Sequence, residues 1–262
     1  YAYDNPYALS LGFLVSEKAR DFTSKTNVFE NHRKTAKLLM GKDVTLYQDA
    51  QITMKKTKTS LVWTAKATAD GPFYMYMDCS HPDKKMYING EYRQIYFNRF
   101  YRNLVYLGDY KKGQTVTIEL RDDHDSKTDH HVLVKTLNMP VFEKMIATFQ
   151  DSAWNLKEFS DGNVKATISS DKRRLCMTTV PYDPDWTVRV NGKSVKTKSV
   201  VNGMMAFHVP KGKSTITMHY RLAGQKKGIA ITIVSLLVFF GWQYIAKKRF
   251  YLAKEETKEI QN

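Results

Sequence analysis

The chain has 262 residues, 42% of them hydrophobic and 13% aromatic, and its 41 Lys and Arg against 26 Asp and Glu give a formal net charge of +15. That apolar content excludes a chain disordered throughout and suffices for one large domain or two small ones with cores of their own. Its two cysteines, Cys79 and Cys176, exclude a disulfide framework.

Taken in order, the chain opens at Tyr1 with no basic segment followed by an apolar run, so it reads as a piece of a longer chain rather than a secretory precursor. After an N-terminal segment (1–40), residues 41–139 carry strand signals: "FYMYMDC" is a strand-like run, Thr115 to Leu120 alternates, and Asn89-Gly90 supplies the left-handed residues of a tight hairpin. Pro140 opens "PVFEKMIATFQ", where Val141, Phe142, Met145, Ile146 and Phe149 fall on one helical face, predicting a connecting helix over 140–152. Strand signals return over 153–222, with Asn191-Gly192 as a second hairpin and Thr215 to Tyr220 alternating. The expected fold is mainly β: two tandem antiparallel, jelly-roll-like sandwiches joined by a short helix and followed by a transmembrane helix.

That last element is "GIAITIVSLLVFFGWQYIA", residues 228–246, 19 residues without a charge. At about 1.5 Å per residue it matches the ~30 Å hydrocarbon core of a bilayer. Trp242 and Tyr244 lie toward its C-terminal end, where amphipathic rings favour headgroups. Four Lys and Arg in the fifteen residues before it, at 213, 221, 226 and 227, face five in the fifteen after it, at 247, 248, 249, 254 and 258. The balance points to a cytoplasmic tail (247–262) and an extracytoplasmic mass (1–222).

The sequence also repeats itself. "KATADGPFYMYMDCSHPDKKMYING" (Lys66 to Gly90) lies over "KATISSDKRRLCMTTVPYDPDWTVRVNG" (Lys165 to Gly192), each running from Lys-Ala-Thr through a strand and Pro-Asp to Asn-Gly. "YKKGQTVTIELR" and "VPKGKSTITMHYR" continue the match. Such a long unit is a domain, not a solenoid repeat.

Candidate chemistry is sparse. Trp186, in "PYDPDW", could stack on a sugar ring with Asp183, Asp185 and Arg189 meeting hydroxyls, or it could pack over the end of a sandwich; the turn chemistry of Asp183 and Pro184 favours packing. The first copy has Lys84 at that position. "RDDHDSKTDHH" (121–131) gathers His124, His130, His131 and four Asp, but follows no metal-loop spacing and reads as a polar loop, so no metal site is assigned. Tyr92, Tyr96, Phe97, Phe100, Tyr101, Tyr106 and Tyr110, with Arg93, Arg99 and Arg102 between them, suit a hairpin loop packing on a membrane domain or a groove for glycan or headgroups. Each Cys borders a strand-like run, as unpaired, half-buried thiols do, and nothing marks a base to activate either. The excess cation points to an anionic cell-envelope polymer or glycan and to the lipid bilayer as partners; the membrane span and the lack of any recognition motif argue against nucleic acid.

"NPYALSLGFLVS" (Asn5 to Ser16), "NVFENHRKTAKLLMG" (Asn27 to Gly41), "VPYDPDWTVRVNGK", "VNGMMAFHVPKGKSTITMHYRLAGQKKG" and the final span, in that order, resemble the C-terminal part of the YfhO family of bacterial membrane proteins. The resemblance covers nearly the whole chain; Asp185 departs from it, standing where Gly is common. It implies that residues 1–40 follow a missing region of about a dozen membrane helices with the fold of glycosyltransferases that use lipid-linked phosphosugars. Family members are linked to sugar decoration of teichoic acids outside Gram-positive cells from a polyprenyl-phosphate donor, so the upstream membrane domain becomes a partner. In that class the catalytic acid lies in an early loop, upstream of Tyr1, so no catalytic residue and no cofactor is assigned here. The expected function is the non-catalytic extracytoplasmic portion of such an enzyme. The alternative is a membrane-anchored carbohydrate-binding or adhesin-like surface protein without transferase activity.

Overall fold

The computed structural model describes residues 4–24, 27–78, 84–96, 104–121 and 131–260. Strand β1 (Gly12–Val15) and a 3-10 turn (Glu17–Asp21) precede helix α1 (Val28–Met40). Nine strands follow: β2 (Tyr47–Asp49), β3 (Gln51–Lys56), β4 (Ser60–Lys66), β5 (Gly71–Asp78), β6 (Lys84–Ile88), β7 (Glu91–Tyr96), β8 (Val105–Tyr110), β9 (Thr115–Arg121) and β10 (His131–Leu137). Helix α2 (Met139–Asp151) leads to β11 (Asn155–Ser160), β12 (Asn163–Ser170), β13 (Arg174–Pro181), β14 (Trp186–Val190), β15 (Lys193–Ser194), β16 (Lys198–Val200), β17 (Met204–Val209) and β18 (Gly212–Tyr220). Helix α3 (Gln225–Ile260) closes the chain.

Two antiparallel sandwiches result. In the first, a sheet ordered β2-β10-β5-β8 faces one ordered β3-β4-β9-β6-β7, and Trp63, Phe73, Met75, Met86, Tyr96 and Ile118 fill the space between them. The second pairs β1-β13-β17-β16 with β11-β12-β18-β14-β15, around Trp154, Cys176, Val188, Phe207 and Met218. The two five-stranded sheets follow one topology, strand for strand.

The four-stranded sheets share β5 with β13 and β8 with β17 but not their other strands, β2 and β10 in the first against β1 and β16 in the second, and the difference reorganises the N-terminus. In the first sandwich β10 lies beside β5. In the second, β18 runs straight on toward α3, and the place beside β13 is taken by β1, with Leu14 opposite Cys176 and Phe13 opposite Met177. Residues 12–15 therefore complete the sandwich built from residues 153–222, although they precede the first sandwich in sequence. Gly12 has no side chain because the Trp154 ring lies where one would go: an added Cβ would stand 2.2 Å from Trp154 Cε2. Trp154 N–H donates to Gly12 O at 2.8 Å, and its indole N–H donates to Cys176 Sγ at 3.1 Å.

Helices α1 and α2 lie between the sandwiches. Ala36 of α1 with Met139, Phe142 and Met145 of α2 cover the outer face of the first sandwich's four-stranded sheet through Leu137 and Tyr74. Met145 and Phe149 reach Phe13, Leu175 and Met177 on the outer face of the second. The sheets facing the helices are thus buried on both sides, which explains the continuous apolar runs of "FYMYM" and "LCM". Asn27 caps α1 by accepting from the Phe29 and Glu30 N–H groups, and Gly41 ends it at φ 75°.

The internal repeat holds at its hairpins and slips at its start. Asn89 and Asn191 adopt φ of 51° and 50°. Each side chain accepts from the next strand, Asn89 from Thr117 N–H at 2.9 Å and Asn191 from Thr215 N–H at 2.8 Å. The paired strands, however, set Trp63 opposite Ile118 and Ala166 opposite Ile216, while Ile88 opposite Ile118 matches Val190 opposite Ile216. Trp63 is therefore the counterpart of Ala166, and the two Lys-Ala-Thr triplets are not equivalent. A local identity in a strand carries no register; a hairpin with fixed turn geometry does.

Candidate functional site

The expected residues Asp183, Asp185 and Trp186 come together, and what they hold is the exit to α3. Asp183 sits in the turn between β13 and β14; one carboxylate oxygen accepts from Asp185 N–H at 2.8 Å and the other from the Tyr220 hydroxyl at 3.2 Å. Asp185 accepts from Ala223 N–H through its side chain at 2.9 Å, and its carbonyl accepts from Arg221 N–H at 3.2 Å. Trp186 is half-buried, leans on the second core and meets the Tyr220 ring at 5.1 Å between centroids. Burial, then the Asp183 carboxylate, push the Tyr220 phenol above its usual range. Arg189 points elsewhere, its guanidinium donating to Gly192 O at 3.3 Å across the hairpin.

Four residues separate Tyr220 from Gln225, and the turn fixes two of them. Asp185 stands where a glycine would leave the Ala223 N–H without this acceptor. The core plug is Trp154, 4% exposed; its role follows from Gly12, a long-range pairing invisible in the local sequence. Lys84 opens β6 as Trp186 opens β14, and it is 4% exposed.

The opposite end of the second sandwich is basic. Register places Ser170 beside Gly212, Arg174 beside Val209 and Val190 beside Ile216. The loops at 171–173, 191–192 and 210–211 therefore share one end, and they bring Lys172, Arg173, Arg174, Lys193, Lys211 and Lys213 together with Asp171 as the acid among them. A cleft of about 470 Å³ opens there, lined by Lys18, Lys172, Arg173 and Arg174 with Glu17 and Asp171. β18 spans nine residues, so this end lies roughly 27 Å from the α3 exit. In the first sandwich the corresponding corner carries fewer cations, Lys111 and Lys112, and Asp70 there accepts from Lys112 N–H at 2.7 Å and pairs with Lys111 at 3.3 Å.

An apolar cleft of about 420 Å³ lies between α1, α2 and the first sandwich, lined by His32, Leu39, Tyr47, Tyr74, Phe142 and Met145 among others. His32 Nδ1 and the Tyr47 hydroxyl share a hydrogen bond of 2.9 Å. Burial lowers the His32 pKa and pushes Tyr47 up to about 12, so both are neutral at pH 7. No sequence motif marks this cleft, because its residues come from five separate elements.

Other expectations fall as follows. The His and Asp loop at 122–130, Cys79, Pro82-Asp83 and the aromatic residues 97–103 lie outside the described residues. Of the remaining aromatics, Tyr96 is a core residue whose hydroxyl accepts from Met77 N–H at 2.9 Å, and Tyr92 and Tyr106 are exposed. Cys176 is free and buried. Among the described residues no three His, Cys, Asp or Glu converge as metal ligands would.

The 25 residues Gln225–Arg249 of α3 contain an 18-residue window of mean hydropathy 2.0, none of it buried against the rest of the chain. An exposed apolar helix of that length, leaving a clamped sandwich, is what a membrane protein with a tandem β-sandwich region requires. The family described as bacterial membrane protein YfhO matches residues 1–232, and the chain belongs to it. A comparison with curated proteins finds no significant match.

Proposed function

We propose that this chain is the extracytoplasmic, non-catalytic portion of a multi-spanning membrane glycosyltransferase, and that it holds an anionic envelope polymer of the teichoic-acid type for decoration from a polyprenyl-phosphate sugar donor. In this reading residues 1–222 lie outside the cytoplasm, the tail lies inside, and the catalytic groups belong to an upstream membrane domain that the sandwiches brace. The observation that carries it is the basic end of the second sandwich: six cations from three loops and the adjoining strand ends, beside a cleft, and raised off the membrane. A chain of glycerol or ribitol phosphates presents one anion per repeat, and clustered Lys and Arg meet it as a diffuse field rather than a lock. Membrane-family membership and the one candidate membrane-spanning helix among the described residues support the setting.

The test is binding of polyglycerol phosphate to the chain in nanodiscs as salt is varied. Replacing Lys172, Arg173, Arg174, Lys211 and Lys213 with Gln is expected to weaken binding about tenfold or more at low salt and to flatten its salt dependence. Unchanged affinity and slope would remove this surface as the polymer site. Sugar transfer by the chain alone would overturn its non-catalytic role.

A further inference from the structure

The α3 end of the second sandwich is built unlike a flexible tether. Ala223 is held by Asp185, and the uncharged run begins at Gly228. Ala223 and Gly224 form a turn and the three helical residues Gln225 to Lys227 then rise about 5 Å to Gly228, while the headgroup layer on each side of a bilayer is about 5–8 Å thick. A sandwich clamped at Ala223 therefore cannot stand clear of a membrane that α3 crosses. The residues at this end suit that place. Leu222 is 58% exposed and Tyr182 40% exposed, while Phe159, at the same end of edge strand β11, is 68% exposed. Register fixes Phe159 there, opposite Val164, which lies opposite Met218, two residues before Tyr220. Arg221, Lys226 and Lys227 add positive charge beside them.

We propose that this rim is an interfacial lipid-binding surface: Phe159, Tyr182 and Leu222 enter the headgroup layer, while Arg221, Lys226 and Lys227 engage anionic lipid. Large amphipathic and apolar side chains at this depth gain burial without crossing the hydrocarbon core, and each cation near an anionic surface adds attraction. The Asp183 and Asp185 clamp sets the orientation, so the basic end points away from the bilayer. The inference rests on α3 crossing the membrane and is independent of any sugar chemistry.

The test uses nitroxide labels on the full chain, with Cys79 replaced by Ser, in vesicles of phosphatidylglycerol and phosphatidylcholine. Labels at Tyr182→Cys and Leu222→Cys should be about threefold less accessible to a water-soluble nickel complex than one at Lys172→Cys, and should feel a lipid carrying a headgroup relaxation agent. In phosphatidylcholine alone the protection at 182 should fall, and Asp185→Ala should reduce it in both lipids. A label at Leu236→Cys reports insertion of α3. If 236 is in lipid but 182 and 222 are as accessible as 172, the rim is overturned and the span stands. If 236 is in water, both fall. Protection at 182 and 222 without any effect of the labelled headgroup would mean that protein covers the rim, which also overturns the proposal. Unchanged protection in phosphatidylcholine would overturn the charge component.

Discussion

At the residue scale, the second sandwich depends on a few side chains with defined partners. Trp186 joins the core margin to Tyr220, so Trp186→Ala should destabilise the fold by about 2 kcal/mol, with Trp186→Phe recovering most of it, as read by urea denaturation in detergent. Asn191 combines a left-handed backbone with an acceptor for Thr215 N–H. Asn191→Ala forfeits both and should cost about 1–2 kcal/mol, whereas Asn191→Gly keeps the backbone and should cost less. Cys176 is held by burial at about 12 despite the Trp154 N–H, which favours its thiolate. A thiol whose pKa is raised on folding contributes stability that is complete below its unfolded value and lost as pH rises through the folded one. Stability should therefore fall between about pH 9 and 12, by up to about 1.4 kcal/mol per pH unit from this group. Cys176→Ala should flatten that fall, and native Cys176 should resist alkylation at pH 7.5 until the chain is unfolded.

At the scale of elements, β1 links the start of the chain to its last sandwich. Gly12→Val would drive a side chain into Trp154 and should cost about 3 kcal/mol, seen as lost hydrogen-exchange protection in β13 and β17 while β4 and β9 keep theirs. Equal loss in both sandwiches would contradict the separate cores. Strands, hairpins, α2 and the final helix were legible in the sequence because each has a local signature: alternation, Asn-Gly, Pro at a helix start, an uncharged run. The role of β1 was not, since "GFLV" reads as any buried strand and its partner lies at least 160 residues away. The repeat was legible for the same local reason at its hairpins and misaligned at Lys-Ala-Thr, where nothing fixes register. Of the site, the sequence pointed to the Trp186 turn but not to its hold on Ala223, and it dispersed the lysines that the β12, β13, β17 and β18 loops bring to one end.

At the scale of the whole molecule, the second sandwich has an end from which α3 leaves and a basic end opposite it, and the first sandwich is joined to it through the helix layer. Under the proposed function this polarity would serve to hold an acceptor, with one end fixed in height and the other free to meet a phosphate-rich chain. The polarity has meaning only if the sandwiches are outside the cytoplasm, where such polymers lie. Sidedness is therefore the most direct test. With Cys79 replaced by Ser, a membrane-impermeant maleimide applied to right-side-out vesicles should label Lys172→Cys at once and Lys258→Cys only after permeabilisation. Labelling of Lys258→Cys from outside, with Lys172→Cys protected until the vesicles are opened, would contradict the account.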